Sequence, residues 1–218
     1  MKDIIKSIGF LSSNHSTYDV FSDWVTMYAL SISNSVDLSH FNEREDMYMS
    51  ISKKYSSQEM SKFIFMCSKL INLFDSNKFY DFLGDIYMSL NISNRKSGQF
   101  FTPYELCRLM ANLSFTEDMD HDKIYTINEP TCGSGGNIIS LCEFLYSKGY
   151  NYQKNISVVA QDIDLKSCYM AYIQFSLLGI PAIIVHGDTL LHPYTGGFDS
   201  NVFFTPMYLF NSYKTSII

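Results

Sequence analysis

The stretch Asn128-Glu129-Pro130-Thr131-Cys132-Gly133-Ser134-Gly135-Gly136-Asn137 constrains the fold more than any other part of this chain. A short alternating apolar run, Ile124 to Ile127, precedes it. A segment with helical spacing follows, at Ile138, Ile139, Leu141, Cys142 and Leu145. Strand, glycine-rich turn and helix in that order set backbone N–H groups and a helix N-terminus beside a nucleoside ligand. The glycines let the backbone come close where a Cβ would clash. A plain glycine turn between strand and helix is the competing explanation, and a lone G-x-G does not decide between them.

The remaining periodicity divides the chain into two zones. Residues 1–95 read as helical. Val20, Phe21, Trp24, Val25, Tyr28, Ala29 and Ile32 mark one face of a helix beginning near Thr17. Ser56 and Glu59 form a capping box ahead of Phe63, Ile64, Met66, Cys67, Leu70, Ile71 and Phe74. A further helix is expected from Phe79 to Leu90, then a polar linker from Asn91 to Ser97. In residues 96–218 a short helix after Pro103 leads into an α/β pattern. Strands are expected at Tyr125–Glu129, Ile156–Gln161, Ala182–His186 and Asn201–Phe204. Helices are expected over 136–147 and Leu165–Leu178, the second stopped by Gly179.

Composition fits a cytoplasmic protein. With 218 residues, 46% hydrophobic and 16% aromatic, the chain can bury one sizeable core or a domain with a helical appendage. No apolar run approaches the ~20 residues of a membrane span, and no basic-then-apolar start suggests a secretory signal. The five cysteines are odd in number and form no C-x-x-C pair, so reduced thiols are expected rather than disulfides or a metal site. Twenty-two acids outnumber sixteen Lys and Arg, a net charge of −6. A protein that grips duplex DNA alone usually shows a basic face. Arg95-Lys96 is too small for that and reads as solvated surface.

The glycine-rich segment and Gly98-Gln99-Phe100-Phe101-Thr102-Pro103 upstream of it together resemble the adenine-N6 DNA methyltransferases. The likeness is greatest to the modification subunits of type I restriction systems. In that family a GQFFTP-like stretch packs against S-adenosylmethionine (SAM), and a D/E-P-x-x-G-x-G-G loop cradles its methionine part. Asp81-Phe82-Leu83-Gly84-Asp85-Ile86-Tyr87 resembles the helix leading into the first motif. Gln161-Asp162-Ile163-Asp164 resembles the end of the second strand with its ribose-binding acid, and Gly187-Asp188-Thr189-Leu190 the motif near the SAM adenine. The resemblance thus implies SAM as cofactor. It implies contacts from Gln99, Phe100, Phe101, Thr102 and Pro103, from Glu129, Pro130, Thr131, Cys132, Gly133, Ser134, Gly135 and Gly136, and from Asp162, Ile163, Asp188 and Thr189. Two structural alternatives stay open: Asp164 as a helix cap, and Asp188 as a turn residue.

The departures are as informative. Family members end the fourth strand with N/D-P-P-F/Y, whose polar groups accept from the target N6 amine and whose aromatic stacks on the flipped base. Here the place reads Thr205-Pro206-Met207-Tyr208, which makes Thr205, Pro206 and Tyr208 the implied catalytic residues of a degenerate motif. Tyr208 can stack. Thr205 lacks an amide's reach, and Met207 cannot fix the loop as proline does. Only ten residues follow Tyr208, so the family's later strands are expected to be missing. A parallel sheet ending at its fourth strand would leave an open edge, to be covered by the N-terminal helices, the tail, a second copy or another protein.

The expected fold is therefore α/β: a partial SAM-dependent methyltransferase (Rossmann-like) sheet preceded by a helical N-terminal region. The expected function is SAM binding in a DNA modification or restriction setting, with catalysis impaired when alone and DNA reached through a partner. An active methylase completed by a partner chain is one alternative. A non-enzymatic module mimicking a modification subunit is another.

Overall fold

The computed structural model describes residues 1–90, 100–114 and 119–215. The expected linker and Gln99 lie outside the described residues. Four helices open the chain: α1 (Lys2–Leu11), α2 (Thr17–Asn34), α3 (Phe41–Ser52) and α4 (Ser57–Ser76). Ser16 caps α2 by accepting from Asp19 N, and α2 then buries Val20, Phe21, Trp24 and Val25 on one side. The capping box at Ser56 and Glu59 starts α4 with both reciprocal bonds. Helices α1 and α3 have no counterpart in the sequence reading. α1 buries Ile4, Ile8 and Leu11. α3 buries only Arg44 and Ile51, too few to leave an apolar period.

Next come α5 (Phe82–Ser89), capped by Asp81, and α6 (Tyr104–Ser114). The α/β part is β1 (Tyr125–Glu129), α7 (Gly136–Ser147), α8 (Tyr152–Asn155), β2 (Ile156–Asp162), α9 (Leu165–Leu178), β3 (Ala182–His186), β4 (Val202–Phe204) and α10 (Pro206–Thr215). Asp164 caps α9 by accepting from Ser167 N, and Gly179 ends it with φ 66°.

The sheet order is β1-β2-β3-β4, with β1, β2 and β3 parallel. Strand β4 runs antiparallel to β3, pairing Ile183 with Phe204 and Val185 with Val202. This corrects the parallel fourth strand expected from sequence. A parallel partner needs a crossover, usually a helix. The connection between β3 and β4 contains none, so the chain turns back beside β3.

Right-handed crossovers through α7 and α9 step the same way across the sheet and so place both helices on one face. On that face Val158, Ala160, Ile184 and Phe203 join α7, α9 and the N-terminal helices in one apolar core. Trp24, Phe21 and Phe175 are among its largest fully buried side chains. The opposite face carries a smaller cluster of Ile183, Val185, Val202 and Phe204 under Tyr194, Tyr208 and Leu209. Among the described residues no helix is long and apolar enough to cross a membrane.

Candidate functional site

The turns after β1, β2 and β3 converge at one end of the sheet, where parallel α/β folds hold their ligands. Gly133 N donates to Asp162 Oδ2 at 2.8 Å, and Asp164 N to Asp162 Oδ1 at 2.9 Å. The Asp162 carboxylate thus ties the glycine-rich turn to the end of β2. Cys132 N donates to Gln161 O at 2.9 Å and makes a second tie. Thr189 Oγ1 donates to Pro130 O at 2.6 Å, which joins the third turn to the first. The side chain of Asp188 accepts from Leu190 N and Leu191 N, the turn role left open above.

Gly135 is the N-cap of α7 with φ 99°. A Cβ there would come within 2.5 Å of Phe175 in α9. Its glycine is demanded by backbone conformation and by helix packing, rather than by approach to a ligand alone.

Below the turn lies a polar network that sequence reasoning missed. Asp81 Oδ1 accepts from Gly84 N at 3.0 Å and Gln174 Nε2 at 2.8 Å, while its Oδ2 accepts from Ser134 Oγ. Gln174 Nε2 also donates to Ser134 O, and its Oε1 accepts from Leu83 N at 3.1 Å. Each member is buried and each has partners, as a low-dielectric network requires. Burial pushes the Asp81 carboxyl above its ordinary range, against the pull of these donors. The Asp81-to-Gly84 helix start was a visible signal. Gln174, 93 positions away, gave none.

A narrow cleft of about 80 Å³ opens above this network. Phe100, Phe101 and Thr102 form one wall, and Thr131, Cys132, Gly133, Ser134, Gly136 and Asn137 the other. A neighbouring hollow of about 310 Å³ shares Asp81, Phe101 and Thr102 with it and extends to Pro103. Phe101 packs on Tyr87 with ring centroids 5.3 Å apart, whereas Phe100 is 73% exposed. Glu129 ends β1 and accepts from Asn137 Nδ2 at 3.2 Å. Asn137 Oδ1 is buried with no partner. An unpaired buried acceptor costs free energy, so a donor from a bound molecule would be favoured here. Ile163, 69% exposed, lies just beyond the end of β2. The thiols are poor nucleophiles: burial lifts Cys107 to about 11, and a hydrogen bond with Cys168 together with burial pushes Cys132 up. Among the described residues no cluster of His, Cys, Asp and Glu could hold a metal ion.

The structure does not bring Thr205, Pro206 and Tyr208 to this cleft. Because β4 is antiparallel, its carboxyl end meets the start of β3, at the opposite end of the sheet. Thr205 is fully buried; its Oγ1 accepts from Ala182 N at 2.9 Å and donates to Ile180 O at 2.8 Å. Pro206 begins α10, and Tyr208 stacks on Phe204 at 5.6 Å. All three serve packing and capping here, which corrects the catalytic placement expected from sequence.

Comparison with solved structures finds the type I restriction-modification methyltransferase subunit from Streptococcus thermophilus, at 18% identity and a TM-score of 0.50. The match covers 87% of this chain and 44% of that one, so the chain spans under half the length of this relative. A Listeria monocytogenes protein assigned to the class I SAM-dependent methyltransferases matches at 10% identity and a TM-score of 0.46, over 98% of this chain and 69% of that one. Among curated proteins no sequence match was found. The sequence profile described as N-6 DNA Methylase matches residues 78–208, more than half of the chain and all of the cleft. The chain belongs to the N-6 DNA methylase family.

Proposed function

We propose that the cleft binds SAM and that the chain acts, in the cytoplasm, in DNA adenine modification as one part of a larger assembly. The observation that carries this reading is the Asp162–Gly133 tie, which fixes the glycine-rich turn to the end of β2, with Phe101 packed close against Gly133. The residues present suit the cofactor. Glu129 and Asn137 Oδ1 would take its ammonium, Asp162 its ribose hydroxyls through lone pairs left free, and Phe100 and Phe101 its flank. When bound, SAM supplies an electrophilic methyl group.

Transfer to adenine needs acceptors for the N6 amine and a surface that holds a flipped base. Thr205 and Tyr208 are engaged elsewhere, and a chain of net charge −6 offers few phosphate contacts. The reading is therefore a SAM-binding chain that methylates DNA only when a partner completes it. The β1 edge, unpaired among the described residues, is the place for that partner. Calorimetric titration with SAM, followed by tritium transfer from labelled SAM to DNA with and without cell extract, tests it. Heat on titration with transfer only in extract supports the reading. Absence of heat at millimolar SAM refutes it.

A further inference from the structure

At the end of the sheet away from the cleft lies a separate hollow of about 300 Å³, lined by Lys78, Tyr146, Tyr150, Tyr152 and Gln153. Helix α7, of 12 residues, runs from the glycine-rich turn toward it, which separates the two sites by about 18 Å. The hollow combines a cation with aromatic walls. Lys78 Nζ lies 4.5 Å from the ring centroid of Tyr146, 5.2 Å from Phe79 and 5.3 Å from Tyr152.

Lys78 takes part in none of the ion pairs among the described residues. On its own segment Lys78 is flanked by the exposed Asp75 and by Asp81, whose carboxylate is held in the buried network under the cleft. No carboxylate occurs between Glu143 and Asp162, whereas Lys148 and Lys154 within that stretch are exposed. The nearby Asp120 is engaged with Lys123. Lys78 is the one lysine that lines the hollow among the described residues.

The walls are also set in place. Tyr152 is buried and donates to Leu178 O at 2.8 Å. Tyr150 stacks on His121 at 4.4 Å and accepts from Met119 N at 2.9 Å. Tyr146, 58% exposed, carries Lys78 over its ring and meets Phe79 at 5.5 Å, and only the remainder of the ring is open to a ligand.

We propose that this hollow is a second binding site, for a nucleoside phosphate, with the base against Tyr146 and the phosphate at Lys78. An ammonium on a flexible stem binds phosphate as a point charge. Tyrosine rings accept any base, since every base has a π-face. That volume lies at the lower bound of small-molecule sites. SAM does not meet the same needs, because it has no phosphate and its sulfonium and ammonium would face Lys78. Two sources carry the required chemistry: a free mononucleotide and the phosphorylated end of a strand.

The test is calorimetry on the whole chain with adenosine 5′-monophosphate, adenosine, inorganic phosphate and a 5′-phosphorylated oligodeoxynucleotide, each with SAM saturating. The monophosphate should bind, more tightly than adenosine or phosphate and less so as salt is raised. Lys78→Gln should weaken it about tenfold or more, while Lys78→Arg retains it and the SAM titration and thermal midpoint do not move. Tighter binding of the oligonucleotide identifies a strand end as the source, and tighter binding of the monophosphate a free nucleotide. The proposal is overturned if the monophosphate gives no heat, if Lys78→Gln binds it undiminished, or if phosphate alone binds as tightly.

Discussion

Arg44 of α3 and Val202 of β4, 158 positions apart in sequence, meet where Arg44 Nη2 donates to the Val202 carbonyl at 3.0 Å. The other guanidinium arm donates to Ser33 Oγ and, at 2.6 Å, to Asp37 Oδ2, and the group lies 4.5 Å from the Phe203 ring centroid. A buried cation thus occupies the free edge of β4, where an unpaired strand would invite association. Arg44→Ala should cost about 3 kcal/mol by urea unfolding, because Asp37 and the Val202 carbonyl lose their partner. Light scattering should show the variant associating. Arg44→Lys should recover little, since one ammonium cannot make the planar fork. Wild-type stability in Arg44→Ala would refute this role.

The contact between Arg44 and Asp37 predicts an acid response. Partial burial pushes Asp37 up, but hydrogen bonding to His40 and the adjacent Arg44 hold its carboxyl below the ordinary range. A depressed folded value contributes stability that is present above the unfolded pKa and is lost as pH falls through the folded one. Acid unfolding of Arg44→Ala should therefore show a smaller loss below about pH 4 than wild type does.

Asp81 gives the opposite sign. Burial holds its carboxyl above the ordinary range, so its contribution is full below the unfolded value and is lost as pH rises through the folded one. Asp81→Asn keeps an acceptor for Gly84 and Gln174 and can donate to Ser134. Its stability should change less than that of wild type from about pH 4 upward. Equal slopes in urea melts across that range would show that Asp81 is not the group responsible.

Several elements are legible in the sequence because their signals are local. The runs at Tyr125–Glu129 and Ala182–His186 and the helix from Leu165 to Gly179 carry their own periods and stops. Helix α3 was not legible, since its buried side are Arg44 and Ile51 rather than an apolar stripe. Nor was the direction of β4. A strand of three residues carries no sign of direction, which here follows from a return connection lacking a helix. At the candidate site, the glycines and the acids at the strand ends announce themselves. The Asp81–Gln174 contact joins residues from separate zones and leaves no pattern in either. The placement of Thr205 failed for the same reason as β4: family likeness locates a motif in the chain, not in the fold.

Thr205 carries a further prediction. Restoring the family motif with Thr205→Asn and Met207→Pro should not produce a methylase. Asn at 205 must replace a hydroxyl that is fully buried and bonded to Ala182 N and Ile180 O. The expected outcome is a loss of about 1–3 kcal/mol and no N6-methyladenine from the purified chain, checked by thermal melts and mass spectrometry of digested DNA. Methylation by the double variant alone would mean that β4 reaches the cleft in solution.

The most direct measurement is calorimetric titration of the wild-type chain and Asp162→Ala with SAM and with S-adenosylhomocysteine. Both ligands share the parts that the cleft would contact, so wild type should bind them with similar affinity. Asp162→Ala frees Gly133 N and Asp164 N, loosens the turn and should weaken both by about tenfold or more. Equal binding by wild type and Asp162→Ala, or no heat from wild type at millimolar SAM, would contradict the account.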